Sequence, residues 1–200
     1  MQNPILIDFP LPILTPRLML RPPQLGDGRK LYEAKSESRK ELEPWMPCAR
    51  GIDFSIEESE ENCRKAQVSF LLREDLRMNL YHRETKEYLG STGLHRCNWE
   101  YRIFMIGYWL KTSAAGKGYM TEAVNALTRY AFDVLNATRI EITCNVTNLK
   151  SSAIPERLFF PKEGLLKNHD RFASHQIVCR DEFIYARTNL EGLPDLKVSW

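Results

Sequence analysis

No two cysteines in this chain stand at CxxC spacing and no histidines recur at metal-ligand intervals, so neither a dithiol redox centre nor a zinc site has a framework. The five cysteines (Cys48, Cys63, Cys97, Cys144 and Cys179) are an odd set in a domain whose size needs no disulfides, and they read as reduced thiols of a cytoplasmic protein. By the same spacing argument no metal is expected, and His95, His169 and His175 read as ordinary core or surface histidines. An excess of one charge is also missing: 28 basic residues face 26 acidic ones, 15 against 16 in the first hundred and 13 against 10 in the second. Neither half is basic enough to bind nucleic acid through counterion release. A long apolar run is absent too. The opening stretch MQNPILIDFPLPILTPRL is broken by Asp8 and four prolines and has no basic start, so neither a signal peptide nor a membrane span is expected there. The chain also lacks internal repeats, low-complexity tracts, a Walker A loop and a GxGxxG dinucleotide fingerprint.

What remains is 200 residues with 43% hydrophobic content, enough for one domain over residues 1–200 with a peripheral tail at 190–200. LTPRLMLRP alternates as a short strand ending at Pro22 and Pro23, and a helix follows over about 27–40. Pro44, Pro47 and Gly51 then make a loop that carries Trp45 and Met46. Ser55, followed by Glu57, Glu58, Glu60 and Glu61, caps a helix over 55–73. Strands are expected at 76–82, 88–97 and 102–111, the first two joined by the polar residues 83–87. Met120, Ala123, Val124, Leu127, Tyr130, Ala131 and Val134 step by three and four in the clearest amphipathic helix. RIEITCNV is a strand over 139–146, and a helix over 152–158 capped by Ser152 would put Pro155 at its third position, where no intrahelical donor is lost. Strand material at 165–167 and 176–187 is separated by a polar stretch containing His169, Asp170 and His175, read as a loop. The order gives an α/β domain with a mixed, mostly antiparallel central sheet and flanking helices.

The segment with most chemical content is strand, AAGKGYM, helix. Gly116 and Gly118 permit backbone conformations closed to other residues, and the helix behind them turns unpaired N–H groups and a partial positive charge toward the loop. Together they form a cradle for an anion. A GxG before a helix is also an ordinary tight connection, so the surroundings must decide.

The surroundings carry a resemblance. TPRLMLRP, GSTGLHRCNWE, IGYWL, GKGYMTEA, RIEITCNVTN and NLKSSAIPERLFFPKEG resemble, in order and spacing, the Gcn5-related N-acetyltransferases (GNAT), most closely the RimJ/RimL ribosomal-protein branch, over about residues 14–187. The resemblance implies the GNAT acyl-CoA N-acyltransferase fold and acetyl-CoA as the acetyl donor. Its pyrophosphate would lie on backbone N–H groups of Ala115, Gly116, Lys117, Gly118, Tyr119 and Met120, which coincides with the anion cradle. Ala115 and Met120 depart from the family pattern, so less side-chain help reaches the phosphates. The strand of Ile106, Gly107, Tyr108, Trp109 and Leu110 would splay from the strand at 139–146 and bind the pantetheine arm like an added strand, with Asn148 and Ser151 hydrogen-bonding it. The tyrosine that many members use as general acid is Pro155 here. RimL-like proteins have a cysteine, a serine and an acidic residue that match Cys144, Ser151 and Asp170. Phe159-Phe160 replaces the family's Gly-Phe, so either the helix ends differently or the site is altered.

Direct attack of an amine on a thioester asks for alignment, a proton acceptor and an oxyanion donor. The expected roles are Asp170 or Glu100 as base through a water, Ser151 as acid toward sulfur, and a backbone N–H of 106–110 as oxyanion donor. Cys144 is first of all a small core residue, Ser151 equally a helix cap and Asp170 a solvated loop residue. Trp45, Met46 and Trp99 are candidates for the acceptor pocket. The expected acceptor is the N-terminal amine of a protein, in the first place a ribosomal one. A small amine such as a polyamine or aminoglycoside, and a CoA-binding module without catalysis, stand as alternatives. No nucleic acid or membrane partner is expected, and the chain would act as a monomer or homodimer.

Overall fold

Alternation along the strands sets the layers. Leu18 and Leu20 on one strand and Ile140, Ile142 and Cys144 on another are buried, while the residues between them are only half-buried. The computed structural model describes residues 3–46, 55–173 and 177–200, with backbone alone at 170–173, 177 and 178. Eight strands form one sheet: β1 (Ile13–Leu14), β2 (Leu18–Arg21), β3 (Leu76–His82), β4 (Tyr88–Asn98), β5 (Ile103–Leu110), β6 (Arg139–Asn145), β7 (Lys162–Ala173) and β8 (Ile177–Arg187). Their order is β1-β2-β3-β4-β5-β6-β8-β7, and every neighbouring pair is antiparallel except β5 and β6. The sheet is mixed and mostly antiparallel, as expected.

Helices α1 (Gly28–Glu37), α2 (Arg39–Leu42) and α3 (Ile56–Leu71) precede the β3–β5 meander, and α4 (Tyr119–Asp133) and α5 (Leu149–Arg157) flank β6. Helix α3 starts as its local sequence dictates: the Ser55 side chain accepts the Glu58 N–H and the Glu58 carboxylate accepts the Ser55 N–H. Helix α4 buries Ala123, Val124, Leu127, Tyr130 and Ala131 against Leu18, Leu20, Leu80, Leu94 and Ile106. Across the sheet, Leu31 and Ala34 of α1 and Cys63 of α3 pack on Tyr81 and Tyr88, with Met19 and Trp109 at the margin. Successive residues such as Leu80 and Tyr81 therefore face opposite layers.

A buried polar cluster ties α1 to the sheet. Asp27, 4% exposed, accepts two bonds from Arg21 at 2.7 and 2.8 Å, one from the Tyr81 hydroxyl at 2.8 Å and one from Asn79 at 3.0 Å. Glu60 of α3 accepts the N–H groups of Gly26 and Gly28, both at 3.0 Å, which docks α3 on the start of α1.

Three local readings are corrected. The helix expected at 152–158 begins at Leu149 with Asn148 as its cap, so Pro155 lies well inside it rather than in its first turn. The polar stretch read as a loop is strand: His169 and Asp170 belong to β7, and Asp170 pairs with Arg180. An edge strand that is wetted on both faces has no apolar alternation to betray it. The helix expected over 27–40 is two helices, broken at Ser38. His175, Cys48 and the rest of the segments 47–54 and 174–176 lie outside the described residues. The tail at 190–200 runs along the rim, tied by the reciprocal Leu14–Ser199 bridge, by Asn125 and Arg129 on the Pro194 carbonyl, and by Trp200 edge-on to Tyr130. The four described cysteines, Cys63, Cys97, Cys144 and Cys179, are free, and among the described residues no helix is long and apolar enough to cross a membrane.

Candidate active site

Strands β5 and β6 pair only at Ile103 with Arg139, Phe104 with Ile140 and Met105 with Glu141. Beyond that point β5 follows β4 out to Leu110 and β6 follows β8 out to Asn145, so the two part in a wedge. The edge of residues 106–110 that faces β6 has no ladder partner, which leaves a backbone rail for an extended ligand. Ile106, Gly107, Tyr108, Trp109 and Leu110 all lie on this rail.

The wedge opens onto the glycine loop. Gly116 and Gly118 have φ of +77° and +78°, the left-handed region, and a Cβ at 116 would meet nothing within 4 Å, so backbone conformation rather than crowding calls for glycine there. Gly118 is the N-cap of α4 and supplies no side-chain cap, so the first N–H groups of α4, Tyr119 and Met120 among them, stay available to an anion. Ala115 and Lys117 are exposed and Met120 is buried in the core.

The loop is held from both sides. Thr112 donates its N–H to Ser38 Oγ at 2.9 Å and Ser113 donates to Glu37 Oε1 at 2.7 Å, so the end of α1 fixes its approach. Arg17 Nη1 donates to the Lys117 carbonyl at 3.0 Å while Arg17 Nε donates to Glu122 Oε2 at 2.6 Å. Glu122 Oε1 also accepts Thr15 Oγ1 at 2.5 Å. Because the peptide unit is planar and trans, a carbonyl turned toward Arg17 turns the Gly118 N–H the other way. No local pattern links Arg17 to residues a hundred positions on, and sequence reasoning missed it.

On the far wall three side chains meet. Cys144 Sγ is 3.2 Å from Ser151 Oγ, Ser151 Oγ donates to the Tyr108 hydroxyl at 3.3 Å, and that hydroxyl donates to the Ser151 carbonyl at 2.9 Å. The last bond has a cause. A helical residue at 155 would donate its N–H to the carbonyl of residue 151, Pro155 has none, and Tyr108 crosses the wedge to supply it. Burial pushes the Cys144 thiol up despite hydrogen bonds from Ser151 and Tyr108, and burial raises the Tyr108 hydroxyl well above its ordinary value. Asn148 Oδ1 accepts the Ser151 N–H at 3.1 Å as the α5 cap, which leaves its amino group to donate elsewhere.

Other candidates are scattered. Glu100 is exposed in the β4–β5 turn, at the end of β5 that is still paired with β6. Trp99 is packed on Phe104 and stacked on Phe9, with its N–H on the Arg73 carbonyl at 2.7 Å, so it is not brought to the wedge. Trp45 does line a groove of about 480 Å³ with Pro44, Thr147 and Arg180, beside Asn145 where β6 ends, and Met46 follows it in sequence. Asp170 is placed by its backbone in β7 only. Among the described residues no His/Cys/Asp/Glu cluster could hold a metal ion.

Helices α1 and α3 on one face, α4 and α5 on the other, and a parallel pair that splays above a glycine loop match the fold of the GNAT acetyltransferases. The chain belongs to that family: the Acetyltransferase (GNAT) domain profile matches residues 17–160. It is 30% identical over 159 residues to the N-acetyltransferase p20 of Bacillus licheniformis, covering 80% of this chain and 87% of that one. Over 113 residues it is 31% identical to the ribosomal-protein-serine acetyltransferase of Escherichia coli, with 55% and 63% of the chains covered. RimJ of Mycobacterium smegmatis, solved with CoA-disulfide, superposes with a TM-score of 0.81 at 24% identity, covering 98% and 93%. The self-immunity acetyltransferase MccE, solved with acetyl-CoA and AMP, gives 0.80 at 23% identity over 87% and 93%.

Proposed function

We propose that this acetyltransferase takes acetyl-CoA as donor and acetylates a primary amine, in the first place the N-terminal α-amine of a protein such as a ribosomal one. The observation that carries the reading is the wedge of unpaired β5 backbone leading straight to the Gly116–Gly118 loop and the uncapped start of α4. That combination suits one ligand with an anionic end and an extended amide arm. The pyrophosphate rests on the N–H groups of 115–120, and the arm runs along 106–110 with the Asn148 amino group beside it. The amine lone pair attacks the thioester carbon, a β5 N–H holds the oxyanion, and Ser151 returns a proton to the departing thiolate. Cys144 stays a thiol because burial raises it, which favours direct transfer over an acyl-cysteine.

A protein N-terminus is favoured by the relatives, which include the E. coli ribosomal-protein-serine enzyme, and by the groove at Trp45, open enough for a chain end. The reading as a CoA module without catalysis leaned on Ala115, Pro155 and Phe159. Phe159 closes an ordinary left-handed helix end, which removes one of its three supports, while the acid that a tyrosine at 155 would supply falls to Ser151 in this reading. The test is thiol release and mass spectrometry with acetyl-CoA and peptides beginning in Ser or Ala, beside spermidine and an aminoglycoside. Peptide acetylation is expected. Turnover of the small amines alone would replace the acceptor, and no turnover at all would sink the enzymatic reading.

A further inference from the structure

We propose that His95 is the general base of the acetyl transfer, with Asp75 as its positioning residue, an assignment that rests on the acetyl-transfer reading above. His95 Nδ1 lies 2.6 Å from Asp75 Oδ2, just before β3, in a pair 26% and 40% exposed. With Nδ1–H given to the carboxylate, the neutral ring keeps a lone pair on Nε2. That edge of the ring lies over β5: a Cβ on residue 107 would stand 2.9 Å from His95 Cδ2 and 3.1 Å from Nε2. Gly107 is therefore the one rail position where the ring can come down onto the backbone.

The place matters because of where the wedge closes. An arm anchored at 116–120 and laid back along 110 to 106 brings its thioester to the closed end, next to Ile106 and Gly107, since β5 and β6 are joined again from Met105. His95 is the cross-strand partner of Met105 and reaches the rail from the face of α1 and α3, opposite Tyr108, Cys144 and Ser151. Base and acid thus stand on opposite faces of the thioester, as transfer through a tetrahedral centre needs. The charged groups about His95 are Asp75 just before β3, Arg77 of β3 held to Asn62 of α3, and, from β6, Glu141 beyond Met105 held to Arg139. Glu141 is engaged by Arg139, and the heavy atoms that a Cβ at Gly107 would meet belong to His95.

The step balances. The nitrogen lone pair forms the N–C bond, the C–S bond breaks, His95 Nε2 takes the proton from the cationic nitrogen of the tetrahedral centre, and the thiolate takes one from Ser151. His95 then loses its proton to water and Ser151 regains one.

The test uses the full chain, acetyl-CoA and a peptide with N-terminal serine. His95→Gln is expected to lower kcat/KM roughly 100-fold, with loss of the acidic limb of its pH profile, while calorimetric CoA affinity and melting temperature stay near wild type. Asp75→Asn should lower kcat with KM little changed and alter the same limb, and Asp75→Glu should recover most of the rate. Gly107→Ala, which crowds the ring, should mimic His95→Gln. If the wild type acetylates the peptide and His95→Gln keeps both rate and profile, the base assignment falls while the enzyme reading stands; loss of the limb in Asp170→Asn instead would move the base to β7. If the wild type acetylates no amine, the proposed function falls and His95 with it.

Discussion

The Tyr108 hydroxyl donates to the Ser151 carbonyl, the one acceptor in α5 whose helical donor Pro155 removes. A strand residue on one side of the wedge thereby completes a helix on the other, and the same hydroxyl accepts from Ser151 Oγ. Tyr108→Phe should cost about 1 kcal/mol of stability, because it leaves that carbonyl unpaired in a partly buried place. Pro155→Ala restores the N–H, so in that background Tyr108→Phe should cost measurably less, a coupling of about 0.5–1 kcal/mol by urea unfolding of the four proteins. Additive effects would mean that the two residues do not serve the same carbonyl.

Arg17 acts on the cradle from outside. Its guanidinium holds the Lys117 carbonyl and Glu122 and lies 4.8 Å from the Tyr119 ring centre. The Arg17 side chain is 44% exposed, so its ion pair adds little to global stability. Its effect should appear in the ligand instead. Arg17→Ala is expected to weaken CoA binding about tenfold, roughly 1.4 kcal/mol, with a melting temperature near wild type. Arg17→Lys should recover only part, since one ammonium cannot serve a carbonyl and a carboxylate in fork geometry. Calorimetry with CoA decides; unchanged affinity in Arg17→Ala would remove the brace from the argument.

Asp27 makes stability depend on acid. Burial alone would raise its carboxyl, but hydrogen bonds from Arg21, the Gln24 N–H and Tyr81 outweigh burial and hold it below the usual range. A carboxyl lowered on folding contributes stability that is present above its unfolded value, about 3.9, and is lost as pH falls from there through the lowered folded value. Stability should thus be level through neutral pH and fall below about pH 4. Asp27→Asn should cost about 3 kcal/mol at pH 7, because Arg21 loses its counter-charge in a half-buried place, and should flatten the acid slope. Urea midpoints at pH 7, 4 and 3 measure both, and an unchanged slope would assign it to other carboxylates.

Elements with local causes were legible in the sequence. Helix α3 carries its capping box within four residues, β3 is bounded by a polar turn, and the glycines that shape the loop precede an unmistakable amphipathic helix. Strand β7 was not, because an edge strand with polar residues on both faces looks like a loop until β8 is beside it. The start of α5 was misplaced because Asn148 and Ser152 are both plausible caps, and only the Ser151 N–H on Asn148 decides. For the proposed site, resemblance points to Ser151 and Cys144. Arg17, the Tyr108 hydroxyl and the His95–Asp75 pair could not be found that way, since each acts on residues 20 to 105 positions away.

Phe159 shows where a local rule was broken without changing the outcome. Helix α5 ends in the usual left-handed way: the Phe159 N–H bonds the Glu156 carbonyl at 3.1 Å, the Phe160 N–H bonds the Pro155 carbonyl at 2.9 Å, and Phe159 has φ +53°. That conformation costs a residue with a Cβ about 1 kcal/mol that glycine does not incur. The Phe159 side chain recovers little, being 67% exposed. Phe159→Gly should therefore stabilise by about 1 kcal/mol less a few tenths for added freedom of the unfolded chain, raising the melting temperature by about 2 °C. Phe159→Ala keeps the Cβ and should show no such gain. Activity should be unchanged, because the bonds that close the helix are made by the backbone and the ring is mostly exposed. A destabilised Phe159→Gly would instead reveal a contact made by the ring that outweighs its strained backbone.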